Sequence, residues 1–391
     1  MTHPGCCSRE VLLRAPSRFR SSRISSFSAL VLASLALVAL AAPRAQAQTF
    51  GAYHPDGQII MPAAGALFDS LPDGRLVALV GSTVYRETSA ATRSFTPIGT
   101  LPAGGDIPSF GAAFLRVSPN GQSVAVGNNG GSTFSNFLVG VFAFPALTGT
   151  WFSASHLDAA WVDNRYLALS SGTFGTPSVV SALDTTSPNP ALPVLLSLVK
   201  NIGGASSGIA FDPAGNLYTA NGFQGAGPSS TGAVHAVSHA AVAAALAGGP
   251  PTDFETQGIP IIDLLSGSPL AFDSAGDLVV GGGSSFSAPV DDNYFALVSA
   301  SAVAAAFAGG GSINVADTTK VHKLDPDPGA DSFYYVNVNR ARLELYAVTS
   351  GSATAFVYTT SAPVPATSPW SLVACATLLL YVGIRRLRAE A

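Results

Sequence analysis

Cysteine, methionine and charge are all scarce in this chain. Its 391 residues include 3 Cys and 2 Met, and 11% are charged, against about 25% in an ordinary globular protein. Three cysteines cannot build a disulfide scaffold. A hydrophobic fraction of 48% excludes a disordered, highly charged protein. The 40 Gly and 27 Pro exclude a coiled coil or a helical bundle.

The few charges are placed unevenly along the chain. Nine of the 19 basic residues lie before residue 48 or after residue 384. Residues 48–363 carry 10 basic and 21 acidic side chains, a net charge of −11, and no cysteine. We therefore expect no nucleic-acid binding. About 316 residues are also enough for a core that is stable without disulfides.

Residues 1–47 predict a signal peptide. An arginine-containing leader is followed by an uncharged apolar run over residues 27–42, and then by Ala45, Gln46 and Ala47. Small residues at the first and third positions are the pattern that signal peptidase recognises, so cleavage after Ala47 would leave Gln48 as the N-terminus. An uncleaved membrane anchor is the alternative, but the run is short for a span of about 20 residues.

Residues 361–391 predict a C-terminal tail with a single transmembrane segment. A proline-rich stretch leads into an apolar segment over residues 371–384, and three arginines follow it. Arginines stay on the cytoplasmic side of a membrane. This arrangement predicts a membrane-anchored protein whose body lies outside the cytoplasm.

The three-part tail resembles the PEP-CTERM and IPTL-CTERM sorting signals of bacterial surface proteins. The residues that carry the resemblance are Val364, Pro365, Ser368, Pro369, Trp370, Arg385, Arg386 and Arg388. The resemblance implies a protein sorted to the cell envelope and processed by an exosortase-like membrane protease. The tail departs from the pattern because it has no Pro-Glu-Pro, and Pro369 stands where an acidic residue is commoner. A simple membrane anchor is the alternative.

The body is a repeat protein. The segment Ile209–Tyr218 recurs at residues 270–279, and the alanine-rich segment 237–249 recurs at 298–310. Both copies have an offset of 61 residues, and 18 of the 40 positions from Ala210 to Gly249 are identical to their counterparts. Two blocks held in one register indicate a duplicated structural unit.

Weaker copies extend the repeat along the whole body. Their predicted turns lie near residues 74, 121, 164, 215, 276 and 329. Each unit is a strand, a tight turn with Gly or Asn, a second strand, a glycine-rich turn and a third strand. Such a small sheet must stack on its neighbours to bury both faces, and this spacing is typical of propeller blades.

We therefore predict an all-β protein with a β-propeller over residues 48–360. It has six blades, or seven if residues 49–60 pair with the C-terminal strands. Two short alanine-rich helical inserts are expected at residues 238–247 and 299–308, each beginning at a Ser cap and ending at Gly-Gly.

The segment Phe211–Tyr218 resembles the repeat phrase of NHL and gluconolactonase-like propellers. Asp69, Asp212 and Asp273 follow apolar residues in three copies of this phrase. They could form a ring of carboxylates that holds a divalent cation near the propeller axis. The alternative, which the pattern favours, is that each Asp caps its own turn.

The expected function is that of an exported cell-envelope propeller with a non-catalytic surface, matrix or ligand-binding role. We expect a monomer with no cofactor. The alternative is a metal-dependent propeller hydrolase or lyase of the lactonase type, with its site in the central channel.

Overall fold

The computed structural model of the chain describes residues 50–89, 92–104, 113–128, 136–171, 177–203, 208–221, 233–264, 269–281, 295–324, 333–349 and 352–360. The predicted signal peptide, its cleavage site and the predicted sorting tail lie outside these residues. One compact unit spans Gln48–Ala362. Within the described residues, no helix has the length and apolar character to span a bilayer.

The described residues form 26 β-strands. In chain order these are β1 Tyr53–Ile60, β2 Leu67–Ser70, β3 Leu76–Val80, β4 Thr83–Ser89, β5 Ser94–Thr100, β6 Phe114–Val117, β7 Ser123–Gly127, β8 Leu138–Ala143, β9 Gly149–Ser153, β10 Asp158–Trp161, β11 Tyr166–Ser171, β12 Ser178–Asp184, β13 Leu195–Ile202, β14 Ile209–Phe211, β15 Leu217–Ala220, β16 Ala233–Val237, β17 Thr252–Asp253, β18 Ile259–Asp263, β19 Leu270–Phe272, β20 Leu278–Gly281, β21 Phe295–Val298, β22 Ile313–Asn314, β23 Val321–Leu324, β24 Phe333–Asn339, β25 Glu344–Thr349 and β26 Thr354–Thr360.

These strands make six sheets, and each sheet is one blade of a propeller. Blades 1 and 2 are β2–β5 and β6–β9; blade 3 is β10–β13 with β17, and blade 4 is β14, β15, β16, β18 and β22. Blade 5 is β19, β20, β21 and β23, and blade 6 is β24, β25, β26 and β1. The first strands of successive blades contact one another in a closed circuit, β2–β6–β10–β14–β19–β24–β2. The predicted all-β propeller is confirmed, with six blades.

The N-terminal strand completes the last blade. Strand β1 pairs antiparallel with β26, from Tyr53 opposite Thr360 to Ile60 opposite Thr354. Residues 53–60 therefore supply the outer strand of blade 6, and they do not start a seventh blade. Because the two ends of the propeller share one sheet, the ring cannot open without breaking this ladder of hydrogen bonds.

The hydrophobic core is divided among the interfaces between blades. The described residues form six clusters of buried side chains, and each cluster joins two neighbouring blades. The second strand of a blade is buried on both faces, as in Leu217–Ala220 and Leu278–Gly281. This explains why these strands are continuous apolar runs instead of alternating patterns. Each fully buried Leu, Val or Phe contributes about 1.5–3 kcal/mol.

Tight turns join the first and second strands of the blades. In four blades the turn contains a glycine with positive φ: +84° at Gly74, +69° at Gly121, +82° at Gly215 and +85° at Gly276. The sixth turn predicted near residue 329 lies outside the described residues. In blade 6 the first and second strands are joined between Asn339 and Glu344.

The two predicted helical inserts are confirmed. Helix α1, His239–Leu246, begins at the Ser238 cap; helix α2, Phe254–Gln257, follows it, and helix α3, Ala300–Ala305, begins at the Ser299 cap. A π-helical turn, Ala306–Gly310, continues α3.

Each insert fastens a blade to the one before it. After α1 the chain adds β17 parallel to β13 of blade 3, and after α3 it adds β22 parallel to β18 of blade 4. Val242 and Ala245 of α1 belong to the core cluster between blades 3 and 4. The duplicated sequence thus encodes the same connection between neighbouring blades twice. We call each helical insert, together with the strand that it adds to the preceding blade, a clasp.

Two ion pairs cross the seam between blade 1 and blade 6. Arg342 donates to both oxygens of Glu87, at 3.0 and 2.7 Å. Arg93 donates to both carboxylate oxygens of Glu344 and also to the Tyr346 hydroxyl, the latter at 3.0 Å. The Glu87 side chain is fully buried and also accepts the Leu76 N–H at 2.9 Å.

Breaking the buried pair at this seam should destabilise the ring. We expect Glu87→Ala to lower the free energy of unfolding by about 3 kcal/mol, because it leaves the partly buried Arg342 guanidinium without its counter-ion and the Leu76 N–H without its acceptor. Urea denaturation of the full chain measures this. Asp73→Ala is the matched control, since it breaks an exposed pair with Arg75 and should cost less than about 1 kcal/mol. Equal losses in the two variants would contradict the assignment.

The duplicated clasp also contains a buried acid that should make stability depend on pH. Asp277 accepts the Ala300 N–H at the start of α3 at 2.7 Å. In the other copy, neutral Asn216 accepts the His239 N–H at 2.8 Å. Burial raises the pKa of Asp277 to about 6 against the effect of the Ala300 N–H, and the Asp273 carboxylate adds to the rise.

Because the pKa of Asp277 is higher in the folded protein, its favourable contribution exists below about pH 4 and is lost as the pH rises through about 6. Asp277→Asn keeps the acceptor and removes the titration. We expect the variant to gain stability over the wild type between pH 4 and pH 7, on the order of 2 kcal/mol. Denaturation curves at several pH values test this, and parallel pH profiles would refute it.

Candidate functional site

A cavity of about 460 Å³ lies where the six first strands meet. Its walls are the second half of each first strand and the start of the turn that follows. This volume is in the range of sites for small molecules. The cavity is the central channel of the propeller, and we take it as the candidate site.

One position in each blade can be compared directly around this channel. It is the residue two positions before the one that opens the turn between the first and second strands, and the opening residues are Leu71, Ser118, Val162, Asp212, Asp273 and Asn339. Its six occupants, in blade order, are Asp69, Arg116, Ala160, Ala210, Ala271 and Asn337, and their partners on the second strand are Val77, Ala125, Ala168, Tyr218, Val279 and Tyr346. All six occupants line the cavity. We call this set the channel ring.

The channel ring is polar on one side and apolar on the other. Asn337, Asp69 and Arg116 come from the consecutive blades 6, 1 and 2, and we call them the polar arc. Blades 3, 4 and 5 carry alanine at the same position. Because alanine serves in half of the blades, the fold itself does not require a polar side chain there.

Asp69 is the centre of the polar arc. Its Oδ1 accepts Asn337 Nδ2 at 2.6 Å and the Ser70 N–H at 2.8 Å, and its Oδ2 accepts the Val117 N–H at 2.7 Å. Burial raises the pKa of the Asp69 carboxyl, while the Arg116 guanidinium and these hydrogen bonds act in the opposite direction. The net result is a pKa above that of an ordinary aspartate.

Asn337 is held in an unfavourable state for a buried amide. The residue is 7% exposed, and its Oδ1 is buried with no hydrogen-bond partner among the described residues. A buried acceptor without a donor costs about 1–3 kcal/mol. An alanine, as in three of the other blades, would avoid this cost. Side chains that reduce stability without a structural need are typical of functional sites.

Arg116 connects the polar arc to the next blade. Its guanidinium donates to Asp158 Oδ1 at 2.5 Å and to the Ala159 carbonyl at 2.7 Å. Its own carbonyl accepts the Trp161 indole N–H at 3.1 Å. Burial raises the pKa of Asp158 against the effect of Arg116. The Arg116 charge is thus fixed in position and lies close to two carboxylates.

The three aspartates singled out by the sequence do not occupy one position. Asp212 Oδ1 accepts the N–H groups of Ala214 and Asn216, each at 2.9 Å. Asp273 Oδ1 likewise accepts the N–H groups two and four residues on, at 2.9 and 2.8 Å. The turn-capping interpretation therefore holds for both. Asp69 lies two residues earlier in the repeat and lines the channel.

Asp69, Asp212 and Asp273 therefore do not form the predicted carboxylate ring for a divalent cation. Within the described part of the chain, no three or more His, Cys, Asp or Glu side chains come together as a metal site.

Sequence reasoning missed Arg116 and Asn337. Counting five residues back from Gly121, as from Gly74 to Asp69, would have found Arg116. It could not have found Asn337, because the sixth turn was placed near residue 329. The unsatisfied Oδ1 is a feature of the packing, and no sequence signal reports it.

No family model and no curated protein matches the chain. Solved structures share its fold. The PQQ-bound aldose sugar dehydrogenase of Streptomyces coelicolor aligns at a TM-score of 0.54 and 12% identity, over 78% of this chain and 97% of that one. The holo form of the pyranose dehydrogenase PQQ domain of Coprinopsis cinerea aligns at 0.53 and 12% identity, over 80% and 98%.

These comparisons correct two expectations drawn from the sequence. We expected a non-catalytic surface protein without a cofactor, but the two similar structures are enzymes, and both are described with PQQ. The comparisons contradict the non-catalytic reading and the absence of a cofactor. At this identity the likeness itself establishes the propeller fold alone.

If the polar arc is not structural, replacing it should leave the fold intact. We expect the double variant Asp69→Ala, Asn337→Ala to lose about 1–3 kcal/mol, because the bond between the two side chains is removed with both partners and the cost comes from the Ser70 and Val117 N–H groups that lose their acceptor. The stability losses of the single variants Asp69→Ala and Asn337→Ala should together exceed the loss of the double variant, because each single variant removes the hydrogen bond that the two side chains share. Urea denaturation of all three tests this, and a loss above about 3 kcal/mol in the double variant would make the arc a structural element.

Proposed function

We propose that this protein is an exported β-propeller enzyme that oxidises a sugar in the central channel, with Asp69 as the group that accepts the proton from a substrate hydroxyl while an external two-electron acceptor takes the hydride from the same carbon and the C–O bond becomes a carbonyl. The observation that carries the proposal is the polar arc. It concentrates a carboxylate of raised pKa, a fixed guanidinium and an unsatisfied amide on one wall of a channel whose other wall is alanine.

The chemistry of Asp69 suits general base catalysis. A catalytic base works best when its pKa lies near the working pH, and burial moves the pKa of Asp69 in that direction. Perturbed carboxyls in a cavity are typical of active sites. The Arg116 guanidinium nearby stabilises the ionised form of Asp69, which is the form that accepts the proton.

The two walls of the channel suit the two kinds of surface that a sugar ring presents. Hydroxyl groups can face the polar arc, where Asp69 accepts hydrogen bonds. The C–H surface of the ring can lie against Ala160, Ala210 and Ala271. A volume of about 460 Å³ accommodates a single sugar ring. The proteins with the similar fold are described as aldose sugar and pyranose dehydrogenases, which supports a sugar as the substrate class.

The described channel residues do not by themselves fit PQQ. PQQ carries three carboxylates and needs cationic partners. The two cationic side chains in the described lining are Arg116 and Arg340, and Arg116 is already paired with Asp158 at 2.5 Å. The proposed role of Asp69 therefore includes no step through this cofactor.

The proposal includes export. The small-x-small motif at Ala45 and Ala47, the acidic body and the tail that ends in Arg385, Arg386 and Arg388 all support delivery to the cell envelope. On this proposal signal peptidase removes residues 1–47, and an exosortase-like protease acts on the sorting tail.

Replacing Asp69 should abolish activity without unfolding the protein. We screen aldoses and sugar lactones with the full chain, by dye reduction with and without added PQQ and Ca²⁺, and by acid release in a pH-stat. For any substrate turned over, Asp69→Asn should lower kcat at least about 100-fold. Wild-type activity should rise as the pH rises through the pKa of Asp69, because the ionised carboxylate is the base.

The matched control is Asp163→Asn. Asp163 caps a turn of blade 3, where its Oδ1 accepts the N–H groups of Arg165 and Tyr166, each at 2.7 Å, and it does not line the cavity. Its kcat should match the wild type. Turnover that survives in Asp69→Asn, or no turnover of any sugar or lactone, would refute the proposed function.

Export makes a prediction of its own. Mass spectrometry of the protein purified from its native envelope should find an N-terminus at Gln48 and a C-terminus changed near Pro365. Ala45→Leu, Ala47→Leu should block the first cleavage, because large side chains do not fit signal peptidase. An intact N-terminus in the wild type would contradict export by this route.

A further inference from the structure

The central cavity is lined by four charged side chains among the described residues: Asp69, Arg116, Asp212 and Arg340. Three of them are satisfied within the protein. Asp69 accepts Asn337 and two backbone N–H groups, and Arg116 is paired with Asp158. Asp212 is occupied by its own turn and by Asn216 Nδ2 at 2.8 Å.

Arg340 differs from the other three. It follows β24 in the turn of blade 6, and its Nε donates to the Phe272 carbonyl of blade 5 at 3.0 Å. Within the described part of the chain, no carboxylate lies within 4.0 Å of its guanidinium, whereas five other arginines have such a partner. The residue is exposed but its side chain is anchored through Nε, so its terminal N–H groups are held at the cavity with no acceptor among the described side chains and backbone.

This unbalanced positive charge runs against the composition of the body. Residues 48–363 carry a net charge of −11, so an arginine has many acidic side chains with which to pair. Arg342, two residues away, does so through Glu87. The cavity therefore combines an acceptor-rich polar arc with a cation that lacks a counter-ion.

We infer that Arg340 binds an anionic group of the substrate, so that the preferred substrate is a sugar that carries a carboxylate or a phosphate. A guanidinium presents its terminal N–H groups in a fork that matches the paired oxygens of such a group. The inference rests on the proposed function, because it names the substrate class of the same channel. The hydroxyls of the sugar then face Asp69, while its anionic end is held by blade 6.

Isothermal titration of the full chain tests this with D-glucuronate, D-glucose 6-phosphate and neutral methyl α-D-glucoside. We expect at least one anionic sugar to bind at least 10-fold more tightly than the neutral one. Arg340→Gln should remove this difference, and Arg340→Lys should retain part of it because the charge remains while the fork is lost. Comparison of glucuronate with the phosphate identifies the anionic group.

Arg75→Gln is the matched control, since Arg75 is an exposed arginine on the turn of blade 1 outside the cavity lining, and its binding should equal the wild type. Equal affinity for neutral and anionic sugars, or no effect of Arg340→Gln, would overturn the inference. Turnover of neutral sugars would still support the proposed function in that case. Arg340-dependent binding without turnover of any sugar would uphold the anion site and overturn the function. Arg340-dependent binding of PQQ alone, with none of the anionic sugars, would overturn the inference.

Discussion

Closure of the ring is the constraint on which the rest of this structure depends. A four-stranded sheet with two apolar faces is not stable in water by itself, and here each of the six core clusters is shared by two blades. The sixth interface exists because β1 pairs with β26 and brings blade 6 against blade 1. The buried Glu87–Arg342 pair lies at this same seam, where its desolvation is tolerated because both charges are hydrogen-bonded.

Closure also creates the channel, and it allows the six blades to be compared at equivalent positions around the axis. Six equivalent positions face one another across the axis, and alanine fills three of them. The asparagine, aspartate and arginine in the other three are therefore additions to a fold that does not need them. One of them, Asn337, keeps a buried oxygen that has no partner in the described part of the chain. The same comparison within the chain distinguishes Arg340 from its paired neighbours, so the candidate site is defined by reference to the other blades of the protein.

Sequence reasoning predicted the fold more successfully than the function. The offset of 61 residues between the two copies predicted the duplicated unit, both helical inserts and their serine caps, since these depend on local backbone preferences. Sequence reasoning failed where a residue matched the repeat phrase but did not occupy the equivalent position in its blade. Asp69 resembled the turn aspartates because it follows an apolar pair, although it lies two residues before the turn. The non-catalytic expectation was contradicted by the comparisons with solved structures, and the sequence did not show that Asp69, Arg116 and Asn337 come together on one wall of the channel.

The amino-acid sequence by itself determined the all-β class, the propeller repeat and the acidic, cysteine-free body, because strand patterns, glycine turns and composition are local properties. Only the tertiary structure decided that residues 53–60 complete blade 6, and that Asn337 and Asp69, 268 positions apart, share a hydrogen bond of 2.6 Å. That contact exists because the ring closes and places the first and last blades side by side. Pairings between residues so distant along the chain leave no trace in the spacing of a single sequence.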